Sequence, residues 1–106
     1  MGDRGNIIVK QQDEVVYLYT HWHGNKLPKI LREALRRRQR WYDNKYLARI
    51  IFCTMVKGNE DKETGFGISS KMHDGGLDIT VDIDKQTVSY DGSTWNFEDY
   101  LTLDVT

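Results

Sequence analysis

Apolar and polar positions divide the chain into strand-like ends around a helical middle. Asn6-Ile7-Ile8-Val9-Lys10 predicts a short strand, and Val15-Val16-Tyr17-Leu18-Tyr19-Thr20 a second, rich in β-branched and aromatic residues. The polar Gln11-Gln12-Asp13-Glu14 between them predicts an antiparallel hairpin. His21 to Lys26 follows as a loop, with Gly24 and Asn25 as breakers.

The spacing then changes from two residues to three and four. Leu27, Ile30, Leu31, Ala34 and Leu35 form one apolar stripe and predict a first helix over 27–40. Pro28 suits its first turn, where a missing N–H costs nothing. A second helix is predicted over 43–57, with Asp43 as N-cap. From Tyr46 to Val56 it is apolar almost all round, which predicts a central helix covered on several sides. Cys53 falls within that run and is expected to be buried and inert.

Beyond Gly58-Asn59 the strand period returns. Glu60 to Thr64 reads as a solvated loop, Gly65 to Ser70 as a strand loosened by two glycines, and His73 to Gly76 as a turn. Leu77, Ile79, Val81 and Ile83 alternate with Asp78, Thr80, Asp82 and Asp84, the signature of a half-buried strand. Thr87 to Tyr90 is a further strand, and Trp95, Phe97, Tyr100 and Leu101 suggest a short aromatic helix or packed tail. The order ββ-αα-βββ with a short C-terminal element predicts an α+β fold, a mostly antiparallel sheet with a central helical pair. All 106 residues fit one domain, and with 39 % hydrophobic residues and a single proline the chain is globular in composition.

Charge alters this picture most. Residues 1–57 carry twelve Lys and Arg against five Asp and Glu, a net of +7; residues 58–106 carry three against eleven, a net of −8. The formal total of −1 hides a strong asymmetry suited to an anionic partner, or to a second copy with the complementary face. Homo-oligomerisation is therefore expected, and a small domain gains most from it. No apolar stretch approaches the ~20 residues that span a bilayer. One cysteine allows no intrachain disulfide, and no apolar segment of the signal-peptide kind follows Met1-Gly2-Asp3-Arg4-Gly5, so a cytoplasmic location is expected.

Arg32, Arg36 and Arg40 recur along the first predicted helix and form the leading candidate site. Guanidinium forks match phosphate and carboxylate, and Trp41 and Tyr42 stand beside them as surfaces on which a base could stack. The plainer alternative is a solvated helix face, with Trp41 and Tyr42 in the core. Tyr19, His21 and Trp22 make a second candidate cluster for contact with a base. His21 and His23 lack partners at any recognised metal-ligand spacing, so no metal is assigned. No cofactor motif is present either. Gly65-Phe66-Gly67 and Asp74-Gly75-Gly76 lack the Gly-Lys-Ser/Thr ending of a phosphate loop. No catalytic residue is assigned: Ser69 and Ser70 lack a nucleophile elbow, and the Asp78, Asp82 and Asp84 row reads as a solvated sheet face.

The runs Gly2 to Lys10, Tyr17 to Trp22, Leu27-Pro28 with Leu31, Tyr46 to Cys53 and Glu63 to Ser69 together resemble a family of small uncharacterised bacterial and phage proteins. The resemblance spans residues 2–90 and brings no established activity. A phage setting would imply action by binding in the host cytoplasm: inhibition of a defence nuclease, or sequestration of a nucleotide immune signal in a basic pocket.

Three classes of function follow. The first is a non-enzymatic binding protein for an anionic, nucleotide-like small molecule. The second is a protein–protein inhibitor of a host defence factor, and the third an RNA- or DNA-binding module. A sequence pI near 6.3 counts against duplex DNA as the partner. An enzyme ranks last.

Overall fold

The computed structural model describes residues 3–62, 65–73 and 76–103. Strands β1 (Gly5–Gln11) and β2 (Glu14–Thr20) lead through a 3-10 turn at Gly24–Lys26 into helices α1 (Leu27–Leu35) and α2 (Asn44–Met55). Strands β3 (Phe66–Ser69), β4 (Leu77–Asp82), β5 (Thr87–Tyr90) and β6 (Ser93–Asn96) follow, then helix α3 (Phe97–Leu101). The strands form one sheet in the order β3-β2-β1-β4-β5-β6. Every neighbouring pair runs antiparallel except the central β1 and β4, which are parallel. The fold is α+β with the helical pair in the middle of the chain.

One sheet face carries the core. Ile7 and Val9 of β1, Leu18 of β2, Ile79 and Val81 of β4 and Val88 of β5 are buried beneath Leu27, Leu31, Ala34 and Leu35 of α1 and Leu47, Ala48, Ile50, Ile51 and Met55 of α2. Strand alternation sends Asn6, Ile8, Tyr17 and Tyr19 to the other face. No described helix covers that face. The segment after β3 crosses it instead: the His73 carbonyl accepts from the Asn6 amide at 2.8 Å, and the His73 ring lies 5.1 Å from that of Tyr19. This explains how a strand asparagine becomes fully buried on the face away from the helices.

Several expectations need correction. Helix α1 stops at Leu35, five residues before the expected end. Arg38 and Arg40 adopt φ of 53° and 59°, the left-handed region that no helix can continue through. The Trp41 indole N–H donates to the Leu35 carbonyl at 3.2 Å, so a residue beyond the helix satisfies one of its terminal acceptors. Helix α2 starts where expected, with the Asp43 carboxylate accepting from the Lys45 N–H at 3.1 Å. It is not covered all round. Tyr46, Arg49 and Cys53 are exposed on its outer side, at helical spacing. Cys53 is therefore not buried: one sheet and one neighbouring helix cover only part of a helix circumference. Strand β6 is an addition, pairing Val88 with Trp95 ahead of α3. The loop end at Glu63-Thr64 and the turn at Asp74-Gly75 lie outside the described residues.

Candidate anion-binding site

The segment joining α1 to α2 carries four arginines, Arg36, Arg37, Arg38 and Arg40. Because the helix ends at Leu35, its arginines do not continue as a row. The chain folds back on itself through the two left-handed residues, each conformation costing about 1 kcal/mol or more in a non-glycine residue. Arg38, Gln39, Arg40 and Tyr42 from this segment, with Arg49 and Ile50 of α2, line an open cleft of about 430 Å³.

The three guanidinium groups in the cleft differ in what holds them. Arg38 makes a bidentate ion pair with Glu98 of α3, one arm at 3.1 Å. That hydrogen-bonded pair raises the Arg38 pKa above its ordinary value and lowers that of Glu98. Both side chains are well exposed, so the pair orients Arg38 more than it stabilises the fold. Arg40 lies over the Tyr46 ring, its guanidinium carbon 4.6 Å from the centroid. Arg49 reaches Cys53, with Nη1 4.0 Å from Sγ. Among the described residues no carboxylate pairs with Arg40 or Arg49. Tyr42, 67 % exposed, adds a flat aromatic surface at the rim.

The residues singled out from the sequence are scattered. Arg40 is in this cleft. Arg32 and Arg36 turn toward α3, donating to the carbonyls of Leu103 at 2.6 Å and Leu101 at 3.3 Å. Cations there meet the negative end of a helix and its unsatisfied acceptors, which is a structural use. Trp41 packs edge-on against Phe97, ring centroids 5.2 Å apart, on the core side of the segment. Tyr19 and His21 lie elsewhere, on β2 and just past it, joined by a 2.9 Å hydrogen bond between the Tyr19 hydroxyl and His21 Nδ1. Trp22 lines a second cavity, with Lys26 and Phe66. Arg38, Tyr42 and Arg49 line the cleft without having been among the candidate site residues, and Arg49 lies farthest from them in sequence. The signal for Arg49 was the polar break it makes among Tyr46, Leu47, Ala48, Ile50 and Ile51.

Among the described residues no group of three or more His, Cys, Asp or Glu is placed to hold a metal ion, and no helix is long and apolar enough to cross a membrane. Comparison with known proteins finds no matching family model, no matching curated protein and no matching solved structure.

Proposed function

We propose that this is a non-enzymatic binding protein that holds a phosphate-bearing, nucleotide-like ligand in the arginine cleft. The observation that carries the reading is the pair Arg40 and Arg49, lining one cavity without a carboxylate partner among the described residues. Phosphate would sit between their guanidinium forks, with Arg38 alongside, and the base would lie on Tyr42. A cavity of about 430 Å³ falls within the size range of small-ligand sites. The −8 second half of the chain would repel an extended polyanion such as a duplex. In the phage setting that the sequence resemblance implies, the role would be sequestration of a nucleotide signal. Self-association belongs to the same proposal, supported by the opposite charges of the two halves of the chain.

Calorimetric titration with mononucleotides, cyclic dinucleotides and a duplex oligomer tests it. Arg49→Gln should weaken nucleotide binding by about 1.5–3 kcal/mol, roughly ten- to a hundredfold. Arg40→Gln should act likewise, while Arg32→Ala should leave the affinity intact because Arg32 is engaged at Leu103. No heat with any nucleotide would refute the proposal and leave protein–protein inhibition as the better account. Tight duplex binding with a steep salt dependence would favour the nucleic-acid module.

A further inference from the structure

We propose that the second cavity, on the far side of the helical pair, binds a planar aromatic carboxylate. This cavity also measures about 430 Å³, and its lining includes Trp22, Lys26, Ile30, Met55 and Phe66. Its character is opposite to that of the arginine cleft. Ile30 of α1, Met55 of α2 and Phe66 of β3 give it apolar walls, and among the described residues Lys26 is the one lysine or arginine that lines it. Among the described residues no carboxylate pairs with Lys26.

The walls are flat and held in place. A Cβ on Gly65 would stand 2.5 Å from Trp22 Cε3 and 2.7 Å from Cζ3, so the indole lies directly against the bare glycine backbone. The His21 N–H fixes that backbone by donating to the Gly65 carbonyl at 2.9 Å. The His21 ring meets the indole edge-on at 4.9 Å and 89°. Trp22 is thus clamped, yet 57 % of it is exposed. An ordered, uncovered indole is the kind of anchor that binding sites use. Opposite in chemistry but similar in shape, the His23 imidazole stacks on Phe66 with centroids 5.2 Å apart and planes 20° apart. His23 Nδ1 is buried with no hydrogen-bond partner among the described residues. Carrying the ring proton on Nε2 avoids burying an unpaired N–H, so Nε2–H is the donor this ring can offer.

Flat aromatic walls select a planar ring by stacking. A single lysine, with the Asn59 amide nearby, matches one carboxylate; a phosphate ester is better served by the arginine forks of the other cleft.

The probe is 2-naphthoate, with 2-naphthamide and cyclohexanecarboxylate as controls, titrated into the full chain by calorimetry while the indole N–H resonances are followed by NMR. Naphthoate should bind and shift the Trp22 indole signal at about 1 mM ligand. Trp22→Ala, and Gly65→Val, which displaces the indole, should each weaken binding by about tenfold or more. Lys26→Met should weaken it about two- to fivefold, the small effect of an exposed ion pair. Arg49→Gln should leave it unchanged, which separates this site from the nucleotide cleft. An unmoved Trp22 signal, equal binding of the amide or of the cyclohexane acid, or a Trp22→Ala protein that binds like wild type would each overturn the assignment.

Discussion

Replacing Tyr100 with Phe isolates one buried hydroxyl that joins three elements. Tyr100 of α3 is fully buried. Its hydroxyl donates to the Pro28 carbonyl of α1 at 2.9 Å and lies 3.2 Å from the Tyr90 hydroxyl of β5. The Pro28 carbonyl is in the first turn, so its acceptance from Tyr100 ties α3 to α1. Phenylalanine keeps the ring and its contacts with Tyr90 and Trp95, and removes only the polar links. The loss of a hydrogen bond, with its acceptor left in place, costs about 1–2 kcal/mol. For a 106-residue chain that is roughly a 4–8 °C fall in Tm. The same hydroxyl sets a pH signature. Burial, followed by the hydrogen bond with Tyr90, holds the Tyr100 pKa far above its ordinary value. A raised folded-state value means that this stabilising contribution is complete below the unfolded pKa of about 10. Above that pH the unfolded chain releases a proton that the folded chain keeps, and stability falls by about 1.4 kcal/mol per pH unit from this group alone. Urea unfolding of wild type and Tyr100→Phe should therefore show a gap at pH 7 that narrows between pH 10 and 11. A variant as stable as wild type at pH 7, or one with an equally steep alkaline decline, would refute the reasoning.

Two further outcomes are expected. Cys53 should react readily with a thiol reagent in the native protein, because it is exposed on the outer side of α2; labelling only after unfolding would contradict the placement. If the +7 and −8 halves meet between copies, sedimentation at micromolar concentration should show an oligomer that weakens as salt shortens the Debye length from ~10 Å at 0.1 M to ~3 Å at 1 M. A monomer at low salt would remove self-association from the proposal.

Local patterns in the sequence were enough to place most of the elements, though not the end of α1. The alternation of Leu77, Ile79 and Val81 against Asp78, Thr80 and Asp82 sets which side of β4 is buried, since successive strand side chains point to opposite faces. The spacing of Leu27, Leu31, Ala34 and Leu35 did the same for α1, and Asp43 marked the start of α2 through its own short side chain. Strand β6 went unread, because its four residues alternate weakly and owe their pairing to β5.

The candidate site depended on contacts distant in sequence. Arg32, Arg36 and Arg40 share a helical spacing, and nothing local distinguishes them. Leu101 and Leu103, more than sixty residues away, engage the first two, while the left-handed residues at 38 and 40 carry Arg40 toward Arg49. Cys53 shows the same limit: an apolar neighbourhood in sequence gives a helix, but the number of surfaces packed around that helix decides which residues meet solvent. The sequence by itself determined the α+β class, the helical pair and the separation of charge between the two halves, because propensity, periodicity and composition are local or additive. Only the tertiary structure decided which arginines are engaged by backbone carbonyls and which line an open cleft, because that depends on where the returning chain places its acceptors.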